Sequence, residues 1–275
     1  VSLAILTPEA RLSGPRGPKV VVAGVFGSGK TSLLKTLDST ALASTLFVDC
    51  EAGDIAIGSL PVASIRPRTW PECRDIACAI GGPNPALPSS SPYSQAHFDV
   101  VIADPVLADL RRFQILFLDS LSEMSRQCRI WAEQQPEAVT DRGRKDVRGV
   151  YGLVARELPS FLLQLQHARD RTVIFVCVLE LATDDFGHRD WRLQIEGQRT
   201  SAVLPGIIDE LIVMHAIDAG DGKPFRALIC TSPNPWSLPA KDCSGKLDQI
   251  EEPSLAKLLA KLTSPQPLNS PGGNP

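Results

Sequence analysis

A chain of 275 residues with 43% apolar and 21% charged content has the make-up of an ordinary folded domain, which excludes a disordered or fibrous protein. It is long enough to bury about 75% of the surface its unfolded form exposes, so a core needs no disulfide or structural metal to hold it. A formal net charge of −3 excludes a generally basic surface, so contact with nucleic acid would need a local patch or a groove formed on assembly.

The seven cysteines are an odd set with no C-x-x-C pair, which argues against zinc and for a reducing compartment. No apolar run reaches the ~18 to 20 residues that cross a bilayer, and Val1 to Lys19 has no signal-peptide core, so a soluble, cytoplasmic protein with no membrane partner is expected.

In chain order, residues 1–18 read as an N-terminal extension, 19–263 as one domain, and 264–275, rich in Pro, Gly and Asn, as a disordered tail. Val20 to Ala23 is a continuous apolar run ending at Gly24, as in a strand buried on both faces of a parallel sheet. Leu33, Leu34 and Leu37 predict a helix directly after Lys30-Thr31. Thr45 to Val48 is a second buried strand, stopped by Asp49-Cys50-Glu51. Thr69 and Glu72 form a capping box with Pro71 in the first turn, which predicts a helix through Ile76 and Ile80 that ends at Gly81-Gly82.

Four prolines and three consecutive serines make Pro83 to Pro92 an exposed loop. Gln114 to Leu118 is a third buried strand ending at Asp119, and Leu121, Met124, Cys128 and Trp131 mark the apolar stripe of the next helix. After the polar stretch Gln134 to Arg148, Val154, Leu158, Phe161, Leu162 and Leu165 predict a helix in which Pro159 starts or kinks a turn. Thr172 to Leu179 is the fourth buried strand, and Glu180 to Val203 is a long polar excursion. Leu211 to Ile217 and Phe225 to Thr231 predict a hairpin around Ala219-Gly220-Asp221-Gly222, and a last helix begins near Pro253. The fold class is therefore α/β, a mostly parallel central sheet flanked by helices, with a C-terminal antiparallel hairpin.

Gly24-Val25-Phe26-Gly27-Ser28-Gly29-Lys30-Thr31 satisfies G-x-x-x-x-G-K-S/T between a strand and a helix, with Ser32 next. Glycines let backbone N–H groups wrap a triphosphate, lysine reaches the β- and γ-phosphates, and the threonine hydroxyl ligates magnesium, so ATP and Mg²⁺ are the expected ligands. Asp119 stands where a strand-end carboxylate supports the metal, with capping of the next helix as the plainer reading; both roles hold together where Ser120 or Ser122 makes the cap. Glu51, at the end of the next strand, is placed to activate the attacking water, the plainer reading being a solvated loop residue.

The P-loop, Leu46 to Glu51 and Ile115 to Ser120 together resemble the ATPase core of RecA-type recombinases. Tyr93 to His97, Leu204 to Asp209 and Pro239 to Asp242 make the chain more similar to phage and prophage RecA-like nucleotide-binding ATPases of the AAA type, a group that includes single-strand-annealing recombination proteins. The resemblance covers roughly residues 19 to 263. It implies Mg-dependent ATP hydrolysis coupled to single-stranded DNA during phage recombination, in a homo-oligomeric ring or filament, in a bacterial cytoplasm.

On the same resemblance, DNA-facing residues would be Arg142, Arg144, Lys145 and Arg148 in one loop, and Phe186, His188, Arg189, Trp191, Arg192 and Arg199 in another, through phosphate contact and base stacking. Solvated loop charge is the alternative. Lys241 is the candidate catalytic cation inserted into a neighbour's ATP site, although Cys243 replaces the arginine that similar proteins favour. Glu180 departs from the neutral polar group expected at the fourth strand's end to sense the γ-phosphate. Two further functions remain open: a P-loop small-molecule or nucleotide kinase with Arg142 to Arg148 as its lid, and an ATP-switched assembly scaffold.

Overall fold

The computed structural model describes residues 5–264 other than 141, 184, 185, 219 and 221, and of Gln198 the backbone alone. Residues 265–275 of the expected tail 264–275, residues 1–4 of the extension, and two residues of the expected hairpin turn therefore lie outside the described residues. The strands are β1 Lys19–Gly24, β2 Thr45–Asp49, β3 Ala63–Ile65, β4 Ile115–Asp119, β5 Thr172–Thr183, β6 Arg189–Leu193, β7 Glu210–Ile217, β8 Phe225–Ile229, β9 Lys241–Asp242 and β10 Ile250–Glu251. The α-helices are α1 Pro8–Ser13, α2 Ser39–Ala43, α3 Trp70–Gly81, α4 Gln95–Ile102, α5 Pro105–Asp109, α6 Leu121–Ala132, α7 Val147–His167, α8 Gln198–Ile207 and α9 Leu255–Thr263.

The sheet runs β10-β8-β7-β1-β5-β4-β2-β3, with β6 against β5 and β9 against β7. From β7 through β3 every neighbouring pair is parallel, whereas β8 and β10 are antiparallel, as is the β5–β6 pair. β1 is buried along its whole length because the sheet is covered on both faces. Val21 and Ala23 pack with the side of α3, α6 and α7, whereas Val20 and Val22 pack with Leu33, Leu34, Leu255 and Leu258. The C-terminal ends of the parallel strands share one edge: Gly24 pairs with Val178, and Asp49 with Asp119. In open parallel sheets that edge is where ligands bind.

Local chemistry explains most boundaries. At α3 the Thr69 hydroxyl accepts from Glu72 N–H, and the Glu72 carboxylate accepts from Thr69 N–H at 3.0 Å. Pro83 to Pro92 forms no strand or helix. Residues 5–16 are exposed, and the chain joins the domain where Gly17 N–H bonds the Arg169 carbonyl at 2.7 Å.

Three elements differ from expectation. The helix after Thr31 is a short 3₁₀ helix, Thr31–Thr36, because Asp38 breaks it: its side chain accepts from Ala41 N–H at 2.7 Å and starts α2 anew. α7 runs unbroken through Pro159, held by the buried Leu158, Phe161 and Leu162. Among the described residues the polar excursion from Glu180 holds regular structure: β5 continues to Thr183, β6 pairs antiparallel with it, and α8 follows.

Candidate nucleotide-binding site

The P-loop leaves β1 at Gly24, where a Cβ would stand 2.6 Å from Ser28 Oγ and 2.9 Å from the Met214 carbonyl oxygen, so only glycine fits between the loop and β7. Gly27 and Gly29 adopt φ of 72° and 101°, the left-handed region open to glycine, and so turn the loop around. Lys30 Nζ donates to the carbonyls of Gly24 at 2.9 Å and Val25 at 3.0 Å. Burial lowers the pKa of this ammonium, and Asp119 opposes the shift.

Asp119 ends β4, is 5% exposed, and accepts from Thr31 Oγ1 at 2.5 Å. Its carboxyl is pushed up to about 6, chiefly by burial; the Thr31 hydroxyl opposes this, Glu51 adds to it and Lys30 opposes it. The helix cap belongs to Ser120, whose hydroxyl accepts from Glu123 N–H at 3.1 Å and donates to the Glu51 carboxylate. Ser122 is bound instead to β5, accepting from Val178 N–H at 2.9 Å. The capping reading of Asp119 is thereby replaced by a contact with the P-loop threonine.

Glu51 is exposed, but its loop is fastened. Cys50 N–H donates to the Asp119 carbonyl at 2.8 Å, and the buried Asp49 accepts from Gly53 N–H at 2.8 Å, with Arg66 Nε 3.4 Å from its other oxygen. A cavity of about 280 Å³ is lined by Phe26, Gly27, Gly29, Lys30, Thr31, Ser32, Glu51, Asp119 and Ser120, together with Val176, Val178 and Arg226. Thus Lys30, Thr31, Glu51 and Asp119, predicted from separate segments, converge on one cavity. Sequence reasoning named Ser120 as a helix cap but missed its contact with Glu51, and missed Asp49 and Arg226. Asp49 and Ser120 flank the motifs, whereas Arg226 is carried by the expected β7–β8 hairpin, whose closeness to the P-loop depends on β7 pairing with β1.

The other predicted residues are distributed differently. Trp191, Arg192 and Arg199 line a groove of about 960 Å³ together with Tyr151. Arg148 precedes Tyr151 by three residues on α7, which puts them on one helix face. Arg189 is exposed on β6, and Arg142, Arg144, Lys145 and Arg148 line neither the groove nor the nucleotide cavity; Lys145 pairs with Glu133 at 3.1 Å. That segment follows α6, and none of its arginines or its lysine lines the nucleotide cavity. Glu180 lines the groove and not the nucleotide cavity, because β5 runs on past the expected sensor position. Lys241 lies away from the nucleotide cavity of its own chain: its ammonium donates to the carbonyls of Pro205 and, at 2.9 Å, Ile208, closing the C-terminal end of α8. β9, which carries it, pairs with Leu211 and Glu210 at the beginning of β7, the edge opposite the P-loop.

Magnesium fits the donor set as far as the residues go: a hydroxyl and a carboxylate are hard oxygen ligands, and such sites take their remaining ligands from water and phosphate. Among the described residues, no cluster of three or more His, Cys, Asp or Glu offers an all-protein cage, and no helix is long and apolar enough to cross a membrane.

Among solved structures, the chain is similar to the RadB recombinase, with 13% identity, a TM-score of 0.37, and coverage of 78% of this chain and 80% of that one. The flagellar accessory protein FlaH from Methanocaldococcus jannaschii gives 12% identity and a TM-score of 0.35 over 84% of this chain and 86% of that one. A prototypical ATPase from the type III secretion system of pathogenic bacteria gives 14% and 0.34 over 73% of this chain and 51% of that one. A search of curated proteins gives no match. The model of the family described as AAA domain matches residues 16–244, a span that contains the P-loop, Glu51, Asp119 and the groove, and the chain belongs to that family.

Proposed function

We propose that the protein hydrolyses ATP with magnesium, with turnover coupled to single-stranded DNA in the groove beside Trp191. The observation that carries the hydrolytic reading is the convergence of Thr31–Asp119 and Ser120–Glu51 contacts on the cavity below the P-loop. Backbone N–H groups of Gly27 to Thr31 hold the phosphate chain, and Lys30 exchanges its carbonyl partners for phosphate oxygens. Thr31 and Asp119 would hold magnesium, which when bound neutralises charge on the β- and γ-phosphates. Ser120 fixes one oxygen of Glu51, leaving the other to orient a water and take its proton as the water oxygen bonds to the γ-phosphorus. The bond from that phosphorus to the bridging oxygen breaks, giving ADP and phosphate.

The DNA reading is supported by an aromatic pair, Tyr151 and Trp191, set beside Arg192 and Arg199 in one groove, since stacking faces with nearby cations suit unpaired bases. Its assignment to phage recombination, in a ring or filament, rests on the resemblance of the sequence motifs. The test is ATP turnover with and without single-stranded DNA, beside Lys30→Ala, Glu51→Gln and Arg192→Glu/Arg199→Glu, with imaging of the ATP-bound assembly. Expected are at least about tenfold weaker ATP binding in Lys30→Ala and a loss of about 100-fold or more in turnover with binding retained in Glu51→Gln. DNA stimulation is expected to vanish in the double variant. Full turnover in Glu51→Gln would refute the water-activating role, and stimulation unchanged by the charge reversals would remove DNA from the groove.

A further inference from the structure

We infer that Arg226 is a phosphate-contacting residue of this site, reading the terminal phosphate from within the same chain. The inference deepens the ATP reading above and rests on it. β7 lies parallel beside β1, and β8 returns antiparallel with Arg226 opposite Ala216, so the hairpin carries the guanidinium back over the P-loop. There Nη2 is 3.4 Å from the Gly27 carbonyl oxygen, and Nη1 stands 2.8 Å from where a Cβ on Gly29 would be. The side chain lines the same cavity as Lys30, Thr31, Glu51 and Asp119.

Arg226 is also unlike the arginines Arg66, Arg112, Arg126, Arg129 and Arg171, each of which is paired with a carboxylate. Among the described residues no carboxylate pairs with Arg226. A guanidinium has five donors in a fixed fork matched to phosphate, and here its one acceptor is a carbonyl at the long end of hydrogen bonding. That weak bond is easily exchanged. The charges around the cavity make the exchange favourable: Lys30 and Arg226 balance Glu51 and Asp119, so a magnesium–triphosphate of net negative charge enters a cavity of no net charge instead of an anionic one. Because Arg226 belongs to the same polypeptide, it reaches the phosphate without waiting for a neighbour.

The alternative is a strut that merely props the P-loop through Gly27. Calorimetric titration with Mg–AMP-PNP and Mg–ADP separates the two, on the parent, Arg226→Ala, Arg226→Lys and Lys30→Ala, each checked for an intact thermal transition. Arg226→Ala is expected to weaken AMP-PNP binding roughly ten- to hundredfold while ADP affinity stays within about threefold, and Arg226→Lys, which keeps the charge, is expected to recover part of the loss. Equal weakening for both nucleotides would identify a strut and overturn the inference. So would unchanged affinity for both while Lys30→Ala still loses them, an outcome that leaves the ATP site standing. Failure of the parent to bind either nucleotide would overturn the inference and the ATP reading together.

Discussion

Glu210 opens β7, is 1% exposed, and accepts from Cys243 N–H and Ser244 N–H, both at 3.2 Å. Burial pushes its carboxyl up to about 8, and Asp242 beside it adds to the shift. A carboxyl held above its unfolded value keeps its proton in the fold between the unfolded pKa and about 8, so this group's contribution to stability is lost as pH rises through that window. Glu210→Gln removes the charge at constant shape. Relative to the parent, the variant is expected to gain roughly 1–3 kcal/mol at pH 9 and little at pH 5, measured by urea unfolding. A variant equally destabilised at both values would show that the two N–H acceptors matter more than the repulsion from Asp242. Membership of the cavity was legible where a motif is local: Lys30 and Thr31 follow from one octapeptide, and Asp119 and Glu51 from strand ends. Arg226 and the engagement of Lys241 were not, because each depends on a partner far along the chain, Gly27 in one case and Ile208 in the other.

Among the elements, α3 illustrates how much a short stretch can specify. Its capping box, its Pro71 and its Gly82 stop are all written within fourteen residues, and every one of these signals operates through nearest neighbours. Thr69→Ala is expected to cost about 1 kcal/mol of global stability, with m-value unchanged, since the box closes a helix whose Trp70 and Ile76 lie in the core. No change in the denaturation midpoint would mean that Glu72 alone satisfies the helix end. Other elements depend on competition that spacing does not reveal. Leu33, Leu34 and Leu37 have helical periodicity, yet Asp38 offers Ala41 a side-chain acceptor and the helix stops short. Pro159 looks like a breaker, but the packing of Leu158, Phe161 and Leu162 outweighs the one backbone bond it forfeits. The β5–β6 extension is polar on its surface and shows no continuous apolar run, which is why it reads as loop.

For the molecule as a whole, the α/β class and the mostly parallel sheet follow from four buried apolar runs, each ending at a glycine or a polar residue. Strand order does not: that β5 stands between β1 and β4 is fixed by long-range pairing. The order matters because it sets Trp191, carried on the return of β5, between two cavities, the large groove and a second of about 430 Å³ bounded by Val25, Phe26, Gly27, His215 and Arg226. Nucleotide at the P-loop is therefore expected to alter the emission of Trp191. The difference between parent and Trp191→Phe isolates that signal from Trp70, Trp131 and Trp236, and an identical nucleotide response in the two proteins would refute it.

α6 adds a mechanical side to this arrangement. Its first residue follows Ser120, which holds Glu51, while Ser125 accepts from Glu196 N–H at 3.1 Å and Arg129 Nε bonds the Glu196 carboxylate at 2.9 Å. Glu196 sits between Ile195 and Gly197 on the rim of the groove. One continuous three-turn helix thus joins the rim of the groove to the serine that bonds Glu51.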